Sequence, residues 1–306
     1  MRFLVVGPGA MGCLFAANLK KSGYEVSLLD YKPERAAQIN AQGITVQDTS
    51  GTEYRVDVPV MTCKIPEALD FALICVKSYS TERAAQALKP LLPKETVVVT
   101  LQNGIGNVEI LQEIFGARRV IGGVTAEGAT LISPGRIRHA GRGETAVGPG
   151  MEGGPAQRLA SALARAGFQT RTVENVDELL WGKLIINVGI NALTAITRLK
   201  NGRLIEYQGT VQIMESAVKE AMTVAEAKNI RLPYPDPIAR VKEVCKATAD
   251  NIASMLQDVL RQRMTEIDAI NGAIVRHGEE LGIPTPVNAT LTYLLQTIQE
   301  TYREQA

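Results

Sequence analysis

Lys183, Asn187 and Asn191 recur every four residues in the stretch LLWGKLIINVGINALTAIT, Leu179–Thr197. At about 100° per residue they form one polar strip along a helix. The other faces carry Leu180, Leu184, Ile185, Ile186, Val188, Ile190, Leu193 and Ile196, which predicts a helix buried almost all round. An ammonium and two carboxamides withdrawn from water without partners cost several kcal/mol each, roughly 2–7 for a neutral amide. Either a bound substrate answers the strip or other polar side chains of the same domain do. The carboxylate best placed to meet Lys183 is Glu266. Thr265-Glu266-Ile267-Asp268 reads as a helix start, with Thr265 as N-cap and Asp268 in the capping-box position, so Glu266 falls in a first turn that favours its ionised form. A positioned ammonium can both stabilise and protonate a developing oxyanion.

Two other polar groupings are open to two readings. Asn201-Gly202, inside Leu199–Leu204, could place an amide at the mouth of a cleft or make a plain turn. Asn251, Ser254 and Asp258 fall at i, i+3 and i+7 of an expected helix, a spacing that a solvated face explains equally.

The elements that must hold these residues follow from pattern. Arg2–Val6 is a short apolar strand running into Gly7-Pro8-Gly9-Ala10-Met11-Gly12 and an apolar helix that ends near Ser22-Gly23. This is G-x-G-x-x-G between a strand and a helix, the setting in which it binds a dinucleotide. Gly7 permits the turn, Gly9 the approach of a pyrophosphate, and Gly12 the packing of helix on strand. A second strand, Glu25–Leu29, ends in Asp30. Pro33–Asn40 reads as a helix and Ile44–Val60 as a hairpin turning at Gly51. Phe71–Val76 and Thr96–Thr100 are further apolar strands, with Lys77 and then Asn103 just beyond their carboxyl ends, where open α/β sheets bind ligands. Val120–Val147, broken by Gly123, Gly128, Gly135, Gly141 and Gly143, suggests antiparallel strands extending the parallel sheet. Pro155–Ala166 and Phe168–Val173 add a helix and a closing strand. After Glu174 every long segment has helical period: Glu206–Asn229, the segment opened by Thr265 and closed by Gly282, and a last helix to about Tyr302. The expected fold is an α/β Rossmann-type dinucleotide-binding domain, residues 1–173, followed by an all-helical substrate domain, residues 174–306.

Composition narrows the partners. The 306 residues carry 33 Lys and Arg against 32 Asp and Glu, so no net field recruits nucleic acid or an anionic membrane. The apolar opening is too short for a signal segment, and no uninterrupted apolar run reaches about 18 residues. The four cysteines have neither metal nor redox spacing and suit a reducing compartment, which predicts a cytoplasmic protein with a small-molecule partner. Of the two histidines, His139 falls in a Gly/Arg-rich turn and His277 on the charged side of a helix, so no metal is expected. A helical domain of this size is compatible with a homo-oligomer.

From GPGAMG through VKSY, LQNGIG, LLWGKLIINVGINALTAIT and LKNGRL to NIASMLQD and TEIDAINGAI, essentially the whole chain resembles the ketopantoate reductase (2-dehydropantoate 2-reductase) family. The resemblance implies reduction of 2-dehydropantoate to pantoate with NADPH, on the route to pantothenate and coenzyme A. It further implies Lys183 as general acid, Glu266 completing the site, and Asn187, Asn191, Asn201 and Ser254 on the substrate. By the same resemblance Asn103 touches both cofactor and substrate, while Lys77 and Gly128 line the cofactor. One departure stands out: Asp30-Tyr31-Lys32 occupies the end of the second strand, where members that prefer NADPH often carry a basic residue. An acid there suits the 2′-hydroxyl of NAD(H) and repels the 2′-phosphate of NADP(H), although Lys32 and Arg35 lie close enough in sequence to offset it. Two other readings keep the same fold: reduction of a different branched 2-keto acid, and a non-enzymatic dinucleotide-sensing module whose helical half binds a protein.

Overall fold

Phe3, Leu4, Val5 and Val6 are buried on both faces of their strand, as a parallel strand covered on two sides requires. In a computed structural model that describes residues 1–151 and 153–304, this strand, β1 (Arg2–Val6), is followed by α1 (Ala10–Lys21), β2 (Glu25–Leu29), α2 (Pro33–Gln42), β3 (Ile44–Gln47), β4 (Glu53–Val56), β5 (Val60–Met61), β6 (Phe71–Ile74), α3 (Thr81–Leu88), β7 (Val97–Thr100), α4 (Asn107–Phe115), β8 (Val120–Thr125), β9 (Gly128–Ser133), β10 (Arg136–Gly141), β11 (Thr145–Gly148), α5 (Pro155–Arg165) and β12 (Thr170–Thr172). Six helices come next: α6 (Asp177–Thr197), α7 (Gln208–Ala227), α8 (Pro237–Ala247), α9 (Ser254–Leu260), α10 (Asn271–Leu281) and α11 (Pro286–Glu300). The chain divides into one unit of Met1–Gln102 with Asn107–Val176 and another of Asn103–Gly106 with Asp177–Ala306. The division expected after Val173 falls in the short connection between β12 and α6.

The first unit holds an eight-stranded sheet in the order β12-β11-β8-β7-β6-β1-β2-β5. From β5 to β8 all neighbours are parallel, β11 runs antiparallel to β8, and β12 lies parallel to β11. The run β5-β2-β1-β6-β7-β8 is Rossmann order, with the reversal between β1 and β6. Phe3 stacks on Phe71 at 5.4 Å between ring centroids, so β1 and β6 are joined by aromatic packing as well as by the ladder.

The stretch Val120–Val147 extends this sheet only through β8 and β11. β9 and β10 leave it and join the hairpin β3–β4 in a separate sheet ordered β4-β3-β10-β9. Alternation explains the departure. In β3 and β10, buried Ile44, Val46 and Ile137 alternate with more exposed neighbours, a pattern for a sheet covered on one face, whereas β6 and, after Arg2, β1 are apolar throughout. His139, expected in a turn, lies on β10.

In the second unit α6 is the central helix. Gly182 and Gly189 are two turns apart and share a face. A Cβ at Gly182 would meet Pro233 Cγ at 2.6 Å and one at Gly189 would meet Val241 Cγ1 at 2.7 Å, so these glycines let the following chain close in on α6. By length and composition α6 could cross a membrane, but 67% of its apolar window is buried inside the unit, and its side chains build the core with α7, α8 and α10. Two expected helix starts are corrected. Asn251 lies before α9, which begins at Ser254, so it shares no helical face with Ser254 and Asp258. Thr265 starts no α-helix: residues 267–269 form a single 3-10 turn, α10 begins at Asn271, and Asp268 Oδ1 accepts from Gln296 Nε2 at 2.8 Å instead of capping.

His139 and Glu127 are both buried, with Nε2 and Oε2 2.5 Å apart. Removing one member of a buried pair leaves the other without compensation, so His139→Ala and Glu127→Ala should each lower stability by about 3–5 kcal/mol. Urea unfolding with an unchanged m-value measures this, and a loss below about 1 kcal/mol in both variants would show that the pair is not a structural clamp.

Candidate active site

In the first unit, the glycine loop has the shape its spacing predicts. Gly7 has φ +101°, and a Cβ there would lie 3.0 Å from the Val76 nitrogen, so the loop after β1 touches the loop after β6. A Cβ at Gly12 would sit 2.0 Å from the Gly7 carbonyl oxygen, whereas no atom lies within 4 Å of the corresponding position at Gly9. The turn is therefore closed on the sheet side and open above Gly9, at the N-terminus of α1, a cradle that fits a pyrophosphate. Pro8, Ala10 and Met11 complete this loop. Lys77 follows β6 and opens a 3-10 turn, and Gly128 is the first residue of β9, shortly after the carboxyl end of β8.

Asp30 is corrected. Its side chain is fully enclosed: Arg35 Nε donates to Oδ2 at 2.5 Å, Arg35 Nη2 donates to Oδ1 at 2.6 Å, and the Lys32 backbone N–H donates to Oδ1 at 3.1 Å. Arg35 thereby offsets the charge of the carboxylate. Arg35 is held firmly protonated by the same hydrogen bonds.

In the second unit, Lys183 projects from α6 as a half-buried side chain among buried neighbours. Burial pushes its ammonium down to about 8, against the opposing pull of the Glu266 carboxylate, which is only 7% exposed. Asn187 is half-buried and Asn191 6% exposed. Among the described residues neither side-chain amide has a hydrogen-bond partner, which leaves two of the three side chains of the polar strip unanswered by the protein. Asn201 opens a 3-10 turn and donates from Nδ2 to Thr248 Oγ1 at 2.8 Å, while its buried Oδ1 has no partner. Its backbone N–H donates to Asn251 O at 3.2 Å, tying this turn to the segment that leads to the exposed Ser254. Asn103 belongs with this unit. Gly104, at φ +81°, lies against Ala269, and the Ile105 N–H donates to Ala269 O at 3.1 Å, which docks the segment on the 3-10 turn that Glu266 precedes.

Gln102 was not anticipated from sequence. Its Nε2 donates to Val76 O at 2.7 Å and to Thr81 Oγ1 at 2.9 Å, and Thr81 donates on to Asn107 Oδ1 at 2.8 Å. These bonds brace the Lys77 loop against the end of β7. The only signal in the sequence was its place directly after an apolar strand.

A glycine cradle at the reversal of a Rossmann sheet, and in the helical unit a buried ammonium facing a carboxylate, define the class: a two-domain oxidoreductase of the Rossmann type. The chain belongs to the ketopantoate reductase family. The model of ketopantoate reductase PanE/ApbA matches residues 3–152, and that of its C-terminal domain matches residues 175–299. A curated 2-dehydropantoate 2-reductase of Halobacterium salinarum is 35% identical over 303 residues, 98% of this chain and 99% of its own. The crystal structure of a PanE/ApbA family ketopantoate reductase from Ralstonia eutropha JMP134 superposes with a TM-score of 0.91 at 34% identity, covering 99% of this chain and all of that one. A ternary structure of D-mandelate dehydrogenase with NADH and anilino(oxo)acetate gives a TM-score of 0.93 at 29% identity, with coverage of 99% and 100%.

Lys183 should titrate with a midpoint of about 8 in place of the ordinary 10.5. Glu266→Gln removes the charge that opposes burial and should lower that midpoint further. Since the folded state holds the ammonium at a cost, the cost is fully present below pH 8 and is lifted as the pH rises toward 10.5, so stability should gain from this group across that window. Nitrogen-detected titration of the lysine side chains measures it, and a Lys183 midpoint near 10.5 would contradict the burial argument.

Proposed function

We propose that the protein reduces 2-dehydropantoate to pantoate with NADPH as hydride donor, and that Lys183 is the general acid. The observation that carries this reading is the Lys183 ammonium, brought to about 8 beside Glu266, on a strip whose two amides have no partner among the described residues. When bound, the nicotinamide supplies the hydride to the keto carbon. Lys183 Nζ then stabilises the charge growing on the carbonyl oxygen and delivers the proton that completes the hydroxyl. A value near neutral suits that task, because the donor is charged at working pH and still releases its proton readily. Glu266 keeps the ammonium charged against desolvation. Asn187, Asn191, Asn201 and Ser254 read the carboxylate and hydroxyl of the substrate through amide and hydroxyl groups, and a substrate lacking a polar group leaves buried amides unpaired. The cofactor rests on Gly7–Gly12, with Lys77, Asn103 and Gly128 beside it. The relatives named as 2-dehydropantoate 2-reductases support the substrate assignment.

The likeness to D-mandelate dehydrogenase favours a second reading, reduction of a different 2-keto acid, because lysine and asparagine recognise the keto carboxylate and leave the side chain undetermined. Steady-state rates with 2-dehydropantoate and with phenylglyoxylate, the keto counterpart of mandelate, separate the two. The first reading expects kcat/KM to favour 2-dehydropantoate by more than about tenfold, a difference that one or two methylene-sized contacts supply. A preference for phenylglyoxylate would overturn it. Asn187→Ala and Asn191→Ala should each cost roughly 1–3 kcal/mol in kcat/KM and leave NADPH binding unchanged, and weakened NADPH binding with normal keto-acid kinetics would misplace the strip. With the wild type, kcat/KM should fall as the pH rises through about 8, where Lys183 loses its proton.

A further inference from the structure

Glu266 stands on a stretch of chain with little regular structure of its own. α9 ends at Leu260, and Gln262, at φ +50°, turns the chain away from it. The Gln262 N–H donates to Val259 O at 3.0 Å and the Arg263 N–H to Asp258 O at 2.9 Å, the pair of bonds that closes a helix through a left-handed residue. Residues 261–264 are exposed, and the chain then dips inward, so that Thr265, Glu266 and Ile267 are buried. Between Arg263 and the 3-10 turn at 267–269 neither helix nor strand ladder serves the backbone. Its polar groups need other partners, and the carboxylate it carries is only as well placed as those partners make it.

The partners come from one helix. Gln296 and Gln299 on α11, and Tyr302 just beyond its end, follow at intervals of three residues and form one row. Gln296 Nε2 donates to Asp268 Oδ1 at 2.8 Å, Gln299 Oε1 accepts from the Thr265 N–H, and the Tyr302 hydroxyl donates to Arg263 O at 2.8 Å. The row therefore meets the segment in antiparallel register, with Glu266 between two of the three points. Two of the contacts are to main chain, so they fix the path of the segment itself. Leu291 and Leu295 of α11 are buried in the same core as Leu184 and Val188 of α6. α11 thus refers the position of Glu266 to the helix that carries Lys183.

We propose that Gln296, Gln299 and Tyr302 are positioning residues for the reaction, holding the segment 263–268 so that the Glu266 carboxylate faces the Lys183 ammonium. This inference rests on the reading of Lys183 as the general acid and adds the device that keeps its counter-charge in place. Arg198, Asp258, Arg261, Arg263, Asp268 and Arg276 are the other charges on and around the segment, and none of them replaces Glu266 as the charge that opposes the desolvation of Lys183.

Nitrogen-detected titration of Lys183 in the full chain reads the arrangement, because a carboxylate displaced from the ammonium no longer opposes its desolvation. Wild type is expected at about 8. Gln299→Leu removes the acceptor for the Thr265 N–H and should lower the midpoint by about 0.5–1 unit, part of the roughly 1–3 units that an opposite charge within about 4–6 Å supplies. The pH at which kcat/KM falls should move down with it. Tyr302→Phe loses only a hydroxyl and should shift both in the same direction by less; it decides alone if Gln299→Leu does not fold. Gln299→Glu keeps an oxygen for the N–H and should lower neither. In Glu266→Gln the row has no charge left to place, so adding Gln299→Leu should leave the midpoint where Glu266→Gln puts it. A midpoint unmoved by Gln299→Leu and Tyr302→Phe, or lowered equally by Gln299→Leu with and without the Glu266 charge, would overturn the positioning role whatever the loss in melting temperature, and would leave the general acid standing. Midpoints that shift as stated while the pH limit of kcat/KM keeps its wild-type value would support the positioning role and overturn Lys183 as the general acid instead.

Discussion

A lysine ammonium held within an apolar helix is the constraint on which the second unit depends. Lys183 lies among residues that bury the rest of α6, and only the nearby Glu266 charge works against the desolvation that drives its proton off. Burial wins in part, and the group comes to rest at about 8. Full burial without a counter-charge would leave a neutral amine, and full exposure would leave an ammonium too weakly acidic to donate well near neutral pH. Several features of the fold serve this balance. Gly182 and Gly189 let the chain around Pro233 and Val241 crowd one side of α6, and the 3-10 turn at 267–269 ends the irregular segment that carries Glu266. The segment 103–106 packs on that turn through the Ile105 to Ala269 hydrogen bond.

The first unit answers a different demand, the binding of anionic groups by a neutral fold. With 33 basic and 32 acidic residues the chain has almost no net charge, so attraction for phosphate must be built locally. Backbone N–H groups at the start of α1 face the open side of the glycine turn, and the Gly7 to Leu29 hydrogen bond fastens that turn to the end of β2. Gln102, through Val76 and Thr81, sets the loop of Lys77 against the same edge of the sheet.

What could be read from the sequence was local and periodic. The strand-turn-helix around Gly7–Gly12, the apolar strands β6 and β7 and the polar strip of α6 each carry their signal within about twenty residues, and the structure has all of them. What escaped depended on partners distant in the chain. Nothing near β9 and β10 says that β10 pairs with β3, some ninety residues earlier. The N-terminal capping pattern at Thr265 was outweighed by Asp268 bonding to Gln296 on another helix. That Arg35 lies near Asp30 was legible, but the full enclosure of the carboxylate depends on the side-chain geometry of Arg35, one turn into the next helix. Residues 103–106 joined the helical unit through Ala269, a contact between segments far apart in sequence.

The central claim is that Lys183 delivers the proton and is not merely a tolerated core polar group. It is tested most directly by measuring single-turnover hydride transfer, NADPH affinity and thermal unfolding on one preparation of Lys183→Ala. The account predicts a folded protein with wild-type NADPH affinity whose transfer rate is lower by about 10²–10⁴-fold, the range for loss of a positioned general acid. A preparation that unfolds at a lower temperature yet transfers hydride at nearly the wild-type rate would contradict it.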